Sequence, residues 1–440
     1  MHLFLVGAGH VGLVTAVGFA RLGHRLSVAD IDTQRIVDLQ RGRLPVFEPG
    51  LEEGVRTHAA AGLLTFTTDL RPPGDAAISI VTVSTPTGPD GPLSMAHVES
   101  AVRALLEHVG PKHTIVIRST LPLEGPARLL SLVASRADRP AMVTNPEFMR
   151  EGVALRDFES PSRIVAGWLE PRDQAAASVV IGLYDGIDAP TLVADARSVA
   201  LIKLATNVFL AAKVGYANEL ARVCDAIGAD VETVTTGIGM DPRIGPAFLK
   251  VGPGFGGSCL PEQSIALPRI TAGLGVSTPI IASVSRSNEA HQQAIVARLA
   301  TLLDGHPEPG VTSGASLRGR RIALLGLAFK AETDDVRESP ALALAAHLRA
   351  AGASVVGTDP QAGARARRAD PLLEIASSVP DAVTLADAVL VATEWHEYAL
   401  LDWSDLGSRM AGDLVYDTRN VLAGDVVREA GLRYVSLGRG

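Results

Sequence analysis

The fold is decided by Leu3-Phe4-Leu5-Val6-Gly7-Ala8-Gly9-His10-Val11-Gly12, near the start of the chain. Its first four residues form an apolar run without alternation, which is typical of a buried parallel strand. The glycines that follow are spaced G-x-G-x-x-G, and residues 13–22 then have the character of a helix that ends at Gly23. A second apolar stretch, 25–29, leads to Asp30. Strand, glycine turn, helix, strand and acid in this order predict a Rossmann-type unit that binds a dinucleotide.

Each part of this pattern has a role in binding the coenzyme. Glycines permit a tight turn and a close approach of the backbone to the pyrophosphate, and a helix N-terminus favours an anion. Asp30 is placed to bind the ribose 2′-hydroxyl and would repel a 2′-phosphate, so we expect NAD rather than NADP, with Asp32 as the alternative acid. The expected coenzyme contacts in this unit are Gly7, Gly9, His10, Val11, Gly12 and Asp30.

Three polar residues, Thr85, Thr120 and Glu147, each follow an apolar stretch that is predicted to be a strand. The carboxyl ends of parallel strands share one edge of the sheet, where ligands bind, so we expect these side chains to converge on the nicotinamide side of the coenzyme. The alternative is that such residues cap the helices that follow them. The three strands are predicted over residues 76–83, 114–117 and 141–144.

One long helix is predicted over residues 195–227, with Asp195 as its cap. Lys203 and Asn207 are four residues apart in it and therefore share a face. They are either a surface lysine with a helix-bending asparagine or two donors directed at a developing oxyanion. Cys224 lies among apolar neighbours in the same helix and is predicted to be structural.

A glycine-rich loop, residues 252–261, places four glycines before Cys259. Cys259 is either a nucleophile, because the thiolate is a reactive form, or a buried cysteine behind a turn. Arg243 and Lys250 precede the loop and suit a polyanionic ligand such as a diphosphate. The chemistry of the chain therefore centres on this loop if the cysteine is reactive.

The C-terminal third repeats the plan of a strand, a loop, a helix, a strand and an acid, so we predict a second Rossmann-like domain. Its loop, residues 326–330, has no G-x-G-x-x-G, and we expect no dinucleotide there. Lys330 and the helix that starts at Pro340 are placed to hold a different phosphate ligand. The predicted division is 1–192 for the coenzyme domain, 193–303 for a helical domain, 304–319 for a linker and 320–440 for the last domain.

Composition excludes several classes of protein. The 440 residues are 47% hydrophobic and 20% charged, an ordinary globular balance for two or three domains. The net charge of −8, without a basic tract, argues against nucleic acid and anionic membranes as partners. Two cysteines provide no disulfide framework, and no run reads as a signal peptide or a membrane span. We therefore expect a soluble cytoplasmic protein, and we see no metal site.

Taken together, these residues resemble the UDP-glucose/GDP-mannose dehydrogenase family of nucleotide-sugar dehydrogenases. The resemblance runs nearly end to end and is specific at the level of the family. It implies an α/β fold in which two Rossmann-like doubly wound domains, for NAD and for the nucleotide sugar, are joined by a central helical domain that dimerises. The partners it implies are a nucleotide sugar, with a UDP-hexose favoured, and further copies of the chain in a homodimer or a larger homo-oligomer. The matching stretches are 7–12, 48–51, 119–120, 145–148, 151–152, Lys203 with Asn207, 254–261, 326–330, 333–340, Asp417 and 419–420.

In this family one site carries out two oxidations: the C6 alcohol of the sugar becomes an aldehyde, the cysteine captures it as a thiohemiacetal, and a second hydride transfer gives a thioester that water hydrolyses. The resemblance implies that Cys259 is the nucleophile and that Lys203 and Asn207 stabilise the oxyanions. It also implies that Thr120 orders a water and that Glu147 is the base for hydrolysis. Thr85, Thr120 and Glu151 join the expected coenzyme contacts, and Arg243 resembles an arginine that crosses from a neighbouring subunit. The substrate contacts implied are Glu147, Glu151, Lys203, Asn207, Arg243, Phe248, Leu249, Lys250, Gly256, Lys330 and Arg419.

One position departs from the family. The family has a lysine and an aspartate shortly after the cysteine, whereas this chain has Glu262 and Gln263. A glutamine cannot take up a proton, so Lys203 would lose a counter-charge unless Glu262 replaces it, and we predict slow thioester hydrolysis or a variant substrate. The alternatives to UDP-glucose are GDP-mannose and a UDP-N-acetylhexosamine. A non-catalytic protein that binds NAD or a nucleotide sugar is the alternative from another class, although such a protein needs no nucleophile.

Overall fold

The structure is a computed structural model that describes residues 1–86, 93–134, 136–304 and 316–439. The chain divides into two compact units, Met1–Thr206 and Asn207–Gly440. Most of the predicted linker, 304–319, lies outside the described residues.

The first unit is built on one sheet whose central strands are buried on both faces. Its strands are β1 (His2–Val6), β2 (Arg25–Ala29), β3 (Leu64–Thr67), β4 (Ala76–Val81), β5 (Thr114–Ile117), β6 (Ala141–Thr144), β7 (Ile164–Trp168) and β8 (Thr191–Asp195). Its helices are α1 (His10–Arg21), α2 (Thr33–Gln40), α3 (Leu51–Ala60), α4 (Ala96–Leu106), α5 (Gly125–Val133), α6 (Ala154–Glu159) and α7 (Gln174–Gly182), with a 3-10 turn at Pro171–Asp173. The strand order is β3-β2-β1-β4-β5-β6-β7-β8, and the neighbours from β3 through to β6 are parallel. The doubly wound order predicted from the glycine turn is confirmed.

The start of the sheet shows why the pattern was readable. Leu3, Phe4 and Leu5 are all fully buried, because helices cover both faces of β1, and this burial explains the absence of alternation. The sequence pattern does not indicate β7, which runs antiparallel to β6. An antiparallel strand near the edge of a mainly parallel sheet is common and leaves no separate signal in the residue types.

The second unit combines long helices with a smaller parallel sheet. The helices before the sheet are α8 (Ala196–Ile227), which begins in the first unit, α9 (Val231–Gly239), α10 (Cys259–Gly273) and α11 (Pro279–Asp304). The strands are β9 (Arg321–Leu325), β10 (Ser354–Thr358), β11 (Glu374–Ile375), β12 (Ala388–Val391), β13 (Leu414–Asp417) and β14 (Arg433–Ser436), in the order β11-β10-β9-β12-β13-β14. The remaining helices are α12 (Pro340–Ala350), α13 (Gly363–Ala369), α14 (Val379–Val383), α15 (Trp403–Arg409) and α16 (Gly424–Glu429), with a 3-10 turn at His396–Leu400. The predicted second Rossmann-like sheet is therefore present.

The predicted long helix is α8. Asp195 caps it as expected, since its Oδ1 accepts hydrogen bonds from the backbone N–H groups of Arg197 and Ser198, both at 3.0 Å. By length and composition α8 is apolar enough to cross a membrane, the one such helix among the described residues, but the core helix of a soluble protein passes the same test. Asn218 and Arg222 of α8 make hydrogen bonds within the second unit, as a core helix does.

Candidate active site

The turn after β1 is closely packed on one side and open on the other. Gly7 has a φ of 110°, and a Cβ there would meet the backbone of Thr82 at 2.9 Å. A Cβ at Gly12 would collide with the carbonyl oxygen of Gly7, whereas a Cβ at Gly9 would meet nothing within 4 Å. Helix α1 begins at His10, followed by Val11, and no side chain caps its N-terminus. The pyrophosphate of NAD fits the open side, at Gly9 and the first turn of α1.

Asp30, and not Asp32, is the acid at this turn. Asp30 is buried, and its Oδ2 accepts hydrogen bonds from the N–H of Ala8 at 2.8 Å and from Arg35 at 2.9 Å. Asp32 instead caps α2, because its Oδ1 accepts from the N–H of Arg35 at 3.0 Å. The expectation for Asp30 therefore agrees with the geometry of the turn, and Asp32 has a structural task of its own.

The polar residues at the strand ends share one edge of the sheet. Thr85, Thr120 and Glu147 come after β4, β5 and β6, which are consecutive neighbours beside β1. The capping alternative fails for all three, since the N-caps of α4, α5 and α6 are other residues: Met95, Glu124 and Val153. Their placement beyond the carboxyl ends of adjacent parallel strands is the position in which α/β proteins bind ligands.

A buried ion pair joins two of the predicted site residues. Lys203 Nζ donates hydrogen bonds to Glu147 Oε1 at 3.0 Å and to the Glu147 carbonyl oxygen at 2.6 Å. Both side chains are buried, so Lys203 is no surface lysine, and Asn207, one turn further along α8, is buried as well. The expectation that Lys203 lacks a counter-charge is wrong: Glu147 supplies one from a loop more than fifty positions earlier in the chain.

The surroundings of Glu147 keep its carboxylate ionised. Burial by itself would raise its pKa, but the Lys203 ammonium, the N–H of Met149 at 2.6 Å and the charge of Arg118 together outweigh burial, so the pKa lies below its usual range. Glu151 lies in the same loop, residues 145–153, which we name the Glu147 loop. The carboxylate is therefore ionised and available as a hydrogen-bond acceptor at neutral pH, and its lowered pKa makes it a weaker base than a free carboxylate.

Sequence reasoning assigned no role to three residues of the first unit that contact the candidate site: Thr82, Arg118 and Arg163. Thr82 Oγ1 donates to the carbonyl oxygen of Gly7 at 2.9 Å and so holds the coenzyme turn. Arg118 is buried and donates to Asn145 Oδ1 at 2.9 Å, below the Glu147 loop. The ring of Phe148 lies 3.9 Å from the guanidinium of Arg163 and 5.2 Å from Lys203 Nζ. Arg118 comes immediately after a buried strand, and a charged residue in that position is the sequence feature that could have predicted its place near the site.

In the second unit, Cys259 is exposed and is the first residue of α10, whereas Cys224 is buried in α8. Burial raises the pKa of the Cys224 thiol, which agrees with the predicted structural role. The Sγ of Cys259 lies 3.6 Å from Ser258 Oγ. The positive end of a helix dipole favours negative charge on a group at this position, and Cys259 is thus not the buried cysteine of the alternative interpretation.

The glycine-rich loop before Cys259 is held by side chains of α8 and α11. The N–H of Gly252 donates to Asn218 Oδ1 at 3.0 Å, and the Gly252 carbonyl oxygen lies 2.9 Å from His291 Nε2. Asn288 accepts from the N–H of Phe255 at 2.9 Å and donates to its carbonyl oxygen at 3.1 Å. Burial lowers the pKa of His291 to about 4, so its imidazole is neutral at physiological pH. Three buried or half-buried side chains therefore fix the backbone that leads to Cys259.

Close packing also explains the glycines of this loop. A Cβ at Gly256 would meet the carbonyl oxygen of Glu338 and the Cδ of Pro340, each at 2.5 Å, and a Cβ at Gly257 would meet the ring of Phe329 at 2.9 Å. The N–H of Gly257 donates to the carbonyl oxygen of Arg337 at 3.1 Å. The loop is thus packed against the segments that contain the family-like residues 326–330 and 333–340.

The other predicted substrate residues of the second unit lie around this loop and on the turn before it. Arg419 donates to the carbonyl oxygens of Ala392 at 2.9 Å and Phe329 at 3.0 Å, and a Cβ at Gly252 would meet it at 2.8 Å. Lys330 adjoins Phe329, with its Nζ 5.5 Å from that ring. Leu249 is buried, Lys250 is exposed, and Phe248 has a φ of 64°, an uncommon conformation for a bulky residue that is found most often at functional sites.

The second Rossmann-like domain has a closed turn where the first has an open one. Asp359 Oδ2 accepts hydrogen bonds from the N–H groups of Leu327 at 2.7 Å and Ala328 at 2.9 Å, and from Trp395 Nε1 at 3.1 Å. Leu327 and Ala328 are buried. Asp359 thus occupies two backbone donors of this turn, whereas Asp30 occupies the donor of Ala8 in the first domain, and the absence of a dinucleotide here stays a prediction. Within the described part of the chain, no group of three or more His, Cys, Asp or Glu side chains is arranged to hold a metal.

Comparison with known proteins agrees with these two units. The NAD binding domain of the UDP-glucose/GDP-mannose dehydrogenase family matches residues 1–187, its central domain residues 197–290 and its UDP binding domain residues 323–424. A UDP-glucose 6-dehydrogenase of Rhizobium meliloti is 36% identical and one of Bacillus subtilis 35%, with 100% of this chain covered in both cases and 100% and 98% of those proteins. The solved UDP-glucose dehydrogenase of Pyrobaculum islandicum superposes with a TM-score of 0.86 at 35% identity, covering 100% of this chain and 98% of that one. The chain therefore belongs to the UDP-glucose/GDP-mannose dehydrogenase family, with NAD as its coenzyme.

Proposed function

We propose that the chain oxidises the C6 alcohol of UDP-glucose to a carboxylate in two NAD-dependent steps through a covalent intermediate on Cys259. The observation that carries this proposal is the exposed Cys259 at the first residue of α10, behind a loop that three side chains immobilise. A protein that only binds a nucleotide sugar needs no such thiol. The names of the full-length relatives support UDP-glucose as the substrate.

The residues divide the chemistry between them. Bound NAD supplies the hydride acceptor for each oxidation. The Cys259 thiolate forms a bond to the aldehyde carbon, and the carbonyl oxygen gains the negative charge, which Lys203 and Asn207 stabilise as hydrogen-bond donors. In the last step Thr120 positions a water, Glu147 takes its proton, the C–S bond breaks and the thiolate leaves. Alcohol, two NAD⁺ and water thus become carboxylate, two NADH and three protons.

An absorbance assay for NADH tests the substrate. We expect turnover with UDP-glucose to exceed that with GDP-mannose and with UDP-N-acetylhexosamines by at least about tenfold in kcat/KM, since a site that loses paired polar contacts rejects the analogue strongly. A preference for one of the other sugars would replace UDP-glucose in the proposal. Absence of NADH with every sugar, by a protein that still binds NAD, would favour the non-catalytic alternative.

Gln263 should limit the release of product. It lies one turn after Cys259, is buried, and its Oε1 accepts no hydrogen bond within the described residues. We propose that this oxygen accepts from the hydrolytic water without taking its proton, in place of the aspartate of the family. Gln263→Asp is expected to raise kcat about tenfold, within the range of a positioned base, whereas Gln293→Asp at an exposed glutamine of α11 should change little. Two NADH per sugar in fast steady turnover of the unmodified protein, with no acyl adduct by intact mass, would contradict slow hydrolysis.

We propose that the chain forms a homodimer through α8. Phe209, Tyr216 and Val223 recur every seven residues and are 67%, 56% and 52% exposed, so they form an apolar stripe of the kind that pairs helices. Arg243, proposed to reach a neighbouring site, is 87% exposed at its side chain. Tyr216→Asp is expected to shift sedimentation toward the monomer and to lower activity, while Val179→Asp in α7 should do neither. Full activity of a monomer at nanomolar concentration would refute the role of Arg243.

The compartment and the domain boundaries are further parts of the proposal. Neither cysteine, both within the described chain, is part of a disulfide, and a thiol nucleophile suits the reducing cytoplasm. We propose boundaries at 192/193, 303/304 and 319/320, which the matches to the three family domains at 1–187, 197–290 and 323–424 support. Expression of residues 1–192 alone and calorimetry with NAD would test the first boundary: an insoluble fragment or one without NAD affinity would refute it.

A further inference from the structure

Glu48 is a buried carboxylate to which the proposed reaction assigns no task. It belongs to the segment 48–51 that resembles the family, just before α3, and its side chain is 1% exposed. Gly50, with a φ of 76°, turns the chain into α3 directly after it. A buried carboxylate is costly unless hydrogen bonds satisfy it, so its partners indicate its role.

The two oxygens of Glu48 accept from three separate points in the first unit. Oε2 lies 2.7 Å from His10 Nε2 and accepts from the N–H of Gly152 at 2.7 Å. Oε1 accepts from the N–H of Ala154 at 2.7 Å. His10 is the first residue of α1, beside the open side of the coenzyme turn, whereas Gly152 lies near the end of the Glu147 loop and Ala154 begins α6 directly after it. A single carboxylate thus bridges the coenzyme turn and the loop that contains Glu147.

We propose that Glu48 is a positioning residue that fixes the N-terminus of α1, where the pyrophosphate of NAD binds, relative to the Glu147 loop. The part that concerns NAD rests on the coenzyme turn alone, and the part that concerns catalysis rests on the proposed function. Charge-assisted hydrogen bonds are about twice as strong as neutral ones, so the carboxylate holds both segments more firmly than an amide would.

Because His10 can be protonated, the proposal predicts that the affinity for NAD depends on pH. Burial by itself would lower the pKa of His10, but the hydrogen bond to Glu48 and the charges of Glu151, Glu48 and Glu147 outweigh it, so the pKa lies above its usual value. These carboxylates come from the segment before α3 and from the Glu147 loop. Below this pKa the imidazolium favours the pyrophosphate, and the advantage is lost as the pH rises through it. NAD affinity is therefore expected to fall with rising pH.

Calorimetric titration with NAD, without any sugar, tests the first part between pH 5.5 and 8.5. Glu48→Gln is expected to weaken NAD binding about tenfold at the acidic end and to shift the pH dependence to lower pH, because an amide satisfies fewer of the three donors. Glu53→Gln, at an exposed carboxylate of α3, is the matched control and should behave as the unmodified chain. A folded Glu48→Gln protein with unchanged affinity and pH profile would overturn the proposal.

His10→Gln keeps the test decisive if Glu48→Gln does not fold. It leaves both backbone donors on Glu48, so it should abolish the pH dependence of NAD binding and raise the KM for NAD with little change in kcat. Glu48→Gln should lower kcat as well, about tenfold, since the Glu147 loop loses an anchor. An unchanged pH profile in His10→Gln, or the same effect of both variants on KM and kcat, contradicts the positioning role. Because NAD binding is measured without sugar, failure of the proposed reaction would leave that result intact.

Discussion

Cys259→Ala is expected to abolish the four-electron oxidation, lowering steady NADH production at least about 10³-fold, a typical loss for a nucleophile that acts with a base and donors. In the proposed reaction the thiol forms the covalent bond that holds the aldehyde carbon for the second hydride transfer, and the variant cannot form that bond. The protein should still fold and bind NAD, since Cys259 is exposed and lies outside the unit that contains the coenzyme turn. Stopped-flow absorbance with UDP-glucose, together with calorimetric binding of NAD, measures both.

The chain contains its own control in Cys224. Cys224→Ala removes a buried thiol, so it should reduce stability modestly and leave kcat unchanged. Iodoacetamide should alkylate Cys259 rapidly and Cys224 only after unfolding, because one is exposed and the other is buried. Retention of two NADH per sugar by Cys259→Ala would eliminate the covalent route.

Lys203→Met is expected to have the second largest effect, on stability and on rate together. It leaves the Glu147 carboxylate buried without its ammonium partner, and breaking a buried pair from one side costs about 3–5 kcal/mol. It also removes a proposed oxyanion donor, and the loss of such a donor costs about 10²–10³ in kcat. Urea unfolding and the NADH assay report the two losses separately. Arg150→Met, which breaks an exposed pair with Asp157, should cost less than about 1 kcal/mol.

The double variant Lys203→Met with Glu147→Gln separates the two effects. Removing both charges should restore most of the lost stability and none of the lost activity. The dependence of the free energy of unfolding on pH gives a further check. The pKa of Glu147 is lowered in the folded protein, so Glu147 stabilises the fold above the pKa of an unfolded carboxyl. This stabilisation is lost as the pH falls through the folded pKa. In Lys203→Met the pKa of Glu147 should rise, because burial is no longer opposed by the ammonium, so this loss of stability toward acid pH should shrink or reverse. Equal stability of the single and double variants would show that the pair is not coupled.

Local patterns in the chain predicted the parts of the site that a short stretch encodes. The turn at residues 7–12 and the acid at Asp30 follow from a fixed spacing, and Asp195 was recognised as a cap for the same reason. Thr120 and Glu147 were found because they follow buried strands. In each case the prediction depends only on one secondary-structure element and the residues directly next to it.

The contacts that tie distant segments together could not be predicted in this way. Glu48 and Ala154 are 106 positions apart in the sequence, and Gly252 and His291 are 39 apart. No repeat or fixed spacing in the sequence predicts contacts over such separations. The residues after Cys259 indicate no counter-charge for Lys203, because Gln263 stands where the family has an aspartate, whereas in the fold Glu147 supplies the carboxylate. When a side chain bonds to a remote backbone group, the partner can be almost any residue type, because almost every residue has that group. Only the fold therefore shows which residue is the partner.

The carboxylate of Asp359 affects which ligand can bind at the turn of the second Rossmann-like domain. It accepts hydrogen bonds from the backbone amides of Leu327 and Ala328. A phosphate bound at this turn would use the same donors, so the carboxylate takes the place of that anion. In the coenzyme turn Asp30 accepts from the amide of Ala8, but Gly9 stays open, whereas Ala328 is buried, so we expect each polypeptide to take up NAD in a one-to-one ratio.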